Sequence, residues 1–166
     1  MERKIIIKVD EYDSFNELNP SDRELLEQAL KATETSYSPY SSFRVGAAVK
    51  ISNGEIITGS NQENAAYPSG LCAERVAMFY AQSKFPGVPA EAIAVYARSE
   101  EFGLDNPVSP CGACRQVMAE YESRHGKKIR VIMGSANGLV QIIDGIDNLL
   151  PLMFTLEKLK KKKLNE

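Results

Sequence analysis

The 166-residue sequence predicts an α/β domain of three layers, α-β-α, built on a mixed five-stranded sheet. Three observations predict it. Short apolar, β-branched runs alternate with helix-period segments in the second half of the chain, and strands separated by helices imply parallel crossovers. Asn53-Gly54, flanked by two such runs, is the strongest short hairpin signal and adds an antiparallel pair. A composition of 43% hydrophobic and 25% charged residues is that of one domain able to bury a core without disulfides.

The elements follow in order. Asn19-Pro20-Ser21 opens a helix, with Ser21 as N-cap, Glu24 completing a capping box, and Leu25, Leu26, Ala29 and Leu30 as the apolar stripe. Phe43 to Ile51 reads as a buried strand, and Glu55 to Gly59 returns across the hairpin. Residues 61–71 are turn-rich. From Cys72 the chain becomes helical, with Val76, Ala77, Phe79 and Tyr80 on the expected inner face. Ala92 to Ala97 is a strand, Asp105 to Pro110 a loop, and Gly112 to His125 a helix ended by Gly126. Ile129 to Met133 is a strand, Asn137-Gly138 turns into a last strand from Leu139 to Ile143, and a short C-terminal helix closes the order. Residues 1–19 are an extension of unknown role, in which Lys4 to Val9 could add an edge strand or contact another subunit. Residues 20–155 form the working domain and 156–166 a lysine-rich tail, whose Lys158, Lys160, Lys161, Lys162 and Lys163 read as solvated or as last-turn residues favouring a helix dipole.

A formal net charge of −2 gives no electrostatic reason to expect a nucleic-acid partner. No apolar segment approaches the roughly 20 residues of a membrane helix. The run Ile5-Ile6-Ile7 is too short for a secretory core, so a cytoplasmic protein is expected. Three cysteines, an odd number in a chain without an export signal, point to thiolate chemistry or metal binding rather than a disulfide framework.

All three lie where helices are expected to begin: Cys72, then Cys111 and Cys114 in Pro110-Cys111-Gly112-Ala113-Cys114. A helix start carries unpaired N–H groups and about half a unit of positive charge, which lowers a thiol's pKa toward the thiolate a metal requires. The two-residue gap lets both sulfurs reach one ion, and Cys72 supplies a third ligand. Structural zinc is usually closed by four protein ligands, whereas catalytic zinc keeps its fourth position for water. His125, just before Gly126, reads as a residue serving the helix dipole rather than a fourth ligand. Glu74, two residues beyond Cys72, is placed to relay protons beside the metal.

Cys72-Ala73-Glu74 followed by Pro110-Cys111-Gly112-Ala113-Cys114 matches the general signature of zinc deaminases. With Tyr40-Ser41-Ser42-Phe43-Arg44-Val45-Gly46-Ala47-Ala48, Asn61-Gln62-Glu63-Asn64-Ala65-Ala66-Tyr67 and Leu149-Leu150-Pro151-Leu152-Met153-Phe154, the chain resembles the small homotetrameric cytidine deaminases from about Ser21 to Phe154. The resemblance implies the cytidine deaminase fold and one Zn²⁺ per chain. It implies hydrolysis of cytidine and deoxycytidine to uridine and deoxyuridine with release of ammonia, a step of pyrimidine salvage. Asn61 and Glu63 are then sugar-hydroxyl binders, Phe43 an apolar pocket wall, and Tyr40 and Tyr67 residues lining the site near subunit contacts. Ala73 would meet the base through its backbone, and Phe154 would stack on the base from a neighbouring subunit, making each site composite. Arg75 matches an arginine that hydrogen-bonds the thiolates, sensible because three thiolates overcompensate Zn²⁺.

Three other readings stay open. Cys111-Gly112-Ala113-Cys114 alone resembles a redox pair at a helix start, against which stand Cys72-Ala73-Glu74, the preceding Pro110 and the absence of tryptophan. A modified pyrimidine, such as a blasticidin-type antibiotic, could replace the plain nucleoside. A polynucleotide substrate is disfavoured by balanced charge and by the lack of an aromatic-basic strand motif.

Overall fold

The computed structural model describes residues 1–155 as β1 (Asp10–Tyr12), α1 (Pro20–Ala32), β2 (Phe43–Ile51), β3 (Ile56–Ser60), α2 (Ala73–Lys84), β4 (Ala90–Ser99), α3 (Gly112–His125), β5 (Arg130–Gly134) and β6 (Val140–Asp144). The lysine-rich tail lies outside the described residues. After β6 the described residues hold one 3-10 turn, Ile146–Asn148, and the expected C-terminal helix, with the lysines as its last turn, reaches outside them.

The sheet order is β1-β6-β5-β4-β2-β3. Since β3 and β4 both run antiparallel to β2, they are parallel to each other with α2 as their crossover, and α3 crosses between the parallel neighbours β4 and β5. Helix-separated strands are therefore parallel, as the alternation predicts. The sheet has six strands rather than five. The addition is β1, which pairs antiparallel with β6 from Asp10↔Ile142 to Tyr12↔Val140. Three residues are too few to display a period of two, so this edge strand is set by its partner rather than by its own pattern.

Strand alternation sends Ala47 and Val49 of β2 to one face and Ala48 to the other, and both faces are covered. On one side Leu25, Leu26 and Ala29 of α1 pack over Ala48, Ala94, Ile132 and Ile142. On the other, Ala77, Met78 and Ala81 of α2 and Met118 of α3 pack over Val49, Ile93, Val131 and Met133.

Two local expectations are corrected. The N-cap of α1 is Asn19, not Ser21: its Oδ1 accepts from the Asp22 amide at 3.0 Å and Pro20 takes the first helical position. Proline's fixed φ and missing N–H suit that position, which puts the N-cap two residues upstream of Ser21. The Ser21 hydroxyl instead accepts from Lys50 Nζ at 2.9 Å. The inner face of α2 is Ala73, Glu74, Ala77, Met78 and Ala81, while Phe79 and Tyr80 are exposed. The cause is a close approach: a Cβ on Gly59 of β3 would lie 2.6 Å from the Ala77 amide nitrogen. Only small side chains fit between helix and sheet at that spacing, so the aromatics turn outward.

Gly46 of β2 is just as confined beneath α1, where an added Cβ would press on the Ala29 carbonyl and lie 2.7 Å from the Thr33 nitrogen. Backbone cannot yield as a flexible side chain can. Gly46→Ala is expected to cost about 3 kcal/mol or more, read as a lower urea midpoint at unchanged slope.

Candidate active site

Cys72 is the N-cap residue of α2 and Cys111 that of α3, both with extended backbone (φ −69°, ψ 151° and φ −65°, ψ 165°), and Cys114 lies in the first turn of α3. The extended residue before each helix turns the two helix starts toward one another on the same side of the sheet. Cys72 Sγ is 3.7 Å from Cys111 Sγ, which is 3.5 Å from Cys114 Sγ, and all three lie within 4.8 Å of one another. A tetrahedral zinc with bonds of about 2.3 Å requires sulfurs about 3.8 Å apart. The thiols fit that ion. Cys114 is buried, Cys72 half-buried and Cys111 exposed, so the cluster is open on one side.

The charges suit a cation. The Cys72 thiol is pulled down to about 5, first by the hydrogen bond from Cys114, with burial opposing and Arg75 and Cys111 adding to the fall. Cys114 is pushed up for the complementary reasons, its bond to Cys72 and then its burial. Arg75 Nη2 lies 3.8 Å from Cys72 Sγ, and that bond raises the guanidinium's pKa.

Glu74 follows Ala73 into the first turn of α2 and is only 4% exposed. Its carboxyl is raised above the usual range, chiefly by burial and further by the charge of Cys72. It opens onto a cavity of about 600 Å³ whose walls also include Cys72 and Cys111. That volume accommodates a small organic molecule.

Phe43, Asn61, Glu63, Tyr40 and Tyr67 line the same cavity as Cys72 and Cys111. Asn61 Nδ2 donates to the Phe43 carbonyl at 2.8 Å, while Oδ1 accepts from the Val45 amide at 2.8 Å and from the Ser36 hydroxyl. The side chain thus holds the start of β2, and its second amide hydrogen is still available. The Glu63 carboxylate accepts from the Tyr40 amide at 2.9 Å and from the Ser41 hydroxyl, which holds its pKa below the usual value. Tyr40 and Tyr67 meet edge-on at 6.0 Å. Gln62 and Leu71 exchange backbone hydrogen bonds of 2.9 and 3.0 Å, closing the turn-rich segment and delivering Cys72 to the cavity.

Ala73 and Phe154 are not among the cavity walls: Ala73 is fully buried and Phe154 is 56% exposed. Gln116 Nε2 donates to the Phe154 carbonyl at 2.9 Å, and Arg115 bridges the carbonyls of Pro110 and Leu149 at 2.7 Å each. His125 occupies the last turn of α3, the end opposite Cys111. Sequence reasoning missed Gln62, Leu71, Val108 and Ser109 as cavity walls. The one signal for the last two was their place two and three residues before Cys111, with the apolar Val108 following the polar pair Asp105-Asn106 and Pro107.

Three thiols at zinc spacing, two of them lining a cavity that also holds a buried carboxyl, describe a catalytic rather than a closed structural metal centre, so by class the chain is a zinc enzyme. Residues 19–129 match the family model described as the cytidine and deoxycytidylate deaminase zinc-binding region, and the chain belongs to that family. It is 44% identical over 133 residues to a cytidine deaminase of Halalkalibacterium halodurans, covering 80% of this chain and 93% of that one. A cytidine deaminase of Sporosarcina psychrophila is 50% identical over 98 residues, 58% of this chain and 67% of its own. Among solved structures, the cytidine deaminase of Burkholderia pseudomallei superposes with a TM-score of 0.69 at 38% identity, over 79% of this chain and 97% of that chain.

Proposed function

We propose that the protein hydrolyses cytidine and deoxycytidine to uridine and deoxyuridine, releasing ammonia, with one zinc held by Cys72, Cys111 and Cys114. The observation that carries this reading is the position of Glu74, buried beside the thiol cluster yet open to the cavity. Zinc, when bound, supplies Lewis acidity that lowers the pKa of water toward about 7.

The chain's own residues do the rest. Glu74 takes a proton from the attacking water and passes it to ring N3 as oxygen bonds to C4, which becomes tetrahedral. Glu74 then takes the remaining proton from the new C4 hydroxyl and delivers it to the amino nitrogen, the C4–N bond breaks, and ammonia leaves as the C4 carbonyl forms. Burial favours the protonated carboxyl, so the side chain can act as acid after acting as base. Phe43 packs against the substrate, while Asn61 and Glu63 take the sugar hydroxyls and Arg75 spreads the excess negative charge of the thiolates.

The test is turnover of cytidine, followed as loss of the amino group, with and without a zinc chelator and beside single-stranded oligonucleotides. Chelator-sensitive turnover of the free nucleoside is expected. Deamination of oligonucleotides alone would overturn the reading.

The assembly belongs to the same proposal: a homotetramer in which Phe154 reaches a neighbour's cavity. Supporting it are the exposure of Phe154 and its position outside its own chain's cavity. A sedimentation mass near that of one chain at micromolar concentration would exclude it. A cytoplasmic location completes the proposal, since the ligands must stay reduced. Among the described residues no helix is long and apolar enough to cross a membrane.

A further inference from the structure

The loop from Glu100 to Ser109 does more than join β4 to α3. Phe102 stacks on Phe43 with ring centroids 6.4 Å apart and planes 5° apart, although Phe102 itself is 46% exposed. The next residue toward β4, Glu101, accepts a 2.6 Å hydrogen bond from the Ser42 hydroxyl. Ser42 has φ 52°, in the left-handed region that a non-glycine residue adopts uncommonly, and its amide donates to the Ser38 carbonyl at 3.1 Å. Leu104 and Val108 pack against the core, which seats the loop from below.

The segment carrying Phe43 is therefore gripped from two sides. The cavity side is held by Asn61 on the Phe43 carbonyl and by Glu63 on Ser41 and Tyr40. The outer side is held by Glu101 on Ser42 and by Phe102 on the Phe43 ring. The backbone of Phe43 is fixed by the first set. Its ring lies parallel to that of Phe102, and an aromatic side chain at a cavity wall with no such neighbour keeps rotational freedom about its terminal torsion.

We propose that this loop is a specificity element and that Phe102 is a positioning residue, setting the plane of the Phe43 ring and so the width of the cavity beside Asn61 and Glu63. The choice of nucleosides for the test rests on the function proposed above, in which Asn61 and Glu63 take the sugar. A ring held flat leaves room for sugar hydroxyls and little more. Released, it gives up contact with the correct substrate and admits a bulkier sugar.

The experiment compares wild type, Phe102→Ala and Phe102→Tyr on cytidine and 2′-O-methylcytidine, with amide hydrogen exchange of residues 40–44 in the substrate-free protein. Phe102→Ala is expected to raise KM for cytidine about three- to tenfold, the range of an aromatic pair, with kcat within about twofold. Its preference for cytidine over the methylated nucleoside should narrow, exchange over residues 40–44 should rise, and Phe102→Tyr should restore all three. The proposal is overturned if KM and exchange stay at wild-type values in Phe102→Ala. It is equally overturned if kcat and melting temperature fall together and tyrosine restores neither. Wild type without cytidine turnover would remove the proposed function, while exchange would still decide the role of the loop.

Discussion

Glu74→Gln is expected to lower kcat by about 10²–10⁴-fold, the usual range for a positioned acid–base group, while zinc stays near one per chain. Gln matches the carboxylate in size, and the site is only 4% exposed, so the cavity and the thiol cluster keep their shape. What is lost is the ability to accept a proton from water and return it to the leaving amine. KM should change far less than kcat, because the proton is in flight only in the transition state. Metal analysis with steady-state kinetics checks both halves. Near-normal turnover in a zinc-loaded Glu74→Gln enzyme would move the proton relay to another group.

Cys114→Ala is expected to remove the metal and activity together. Cys114 is buried and sits 3.5 Å from Cys111 Sγ, so no neighbouring thiol can replace it. Structural zinc sites bind with about 10–16 kcal/mol, and one thiolate in three carries roughly a third, about 3–5 kcal/mol or 10²–10⁴-fold in affinity. Dialysis against a moderate chelator should strip this variant and leave wild type loaded. Retention of one zinc with full turnover would show that Cys114 is not a ligand. The pull on Cys72 comes first from Cys114, so the variant should also raise the Cys72 thiol and slow its alkylation near neutral pH.

What could be read from the sequence divides along a physical line. Cys72, Glu74, Cys111 and Cys114 were legible because their chemistry depends on short spacings and helix starts, which are local. β2 and α3 were legible end to end, since turn signals bound both: Asn53-Gly54 follows the strand, and Gly126 ends the helix in the left-handed conformation at φ 62°. The inner face of α2 was misread because hydrophobicity ranks Phe79 and Tyr80 above alanine, whereas the spacing to Gly59 is a property of two elements at once. β1 was too short to announce itself. The tasks of Asn61 and Glu63 as anchors of β2 and of residues 40–41 depend on partners 16 to 23 positions away, which no local pattern encodes. The same holds for Phe102, whose partner Phe43 starts the neighbouring strand β2, opposite Ser99 at the end of β4.

Arg115 and Gln116, the two residues after Cys114, grip the carbonyls of Leu149 and Phe154. For anyone attaching the enzyme to a bead or fusing it to another protein, the two ends of the chain are thus not equivalent. Load applied beyond Thr155 would be transmitted through those carbonyls to the start of α3, which presents two of the three thiols. A tether before Asp10 would pull only on a three-residue edge strand, separated from β2 in the sheet by three intervening strands.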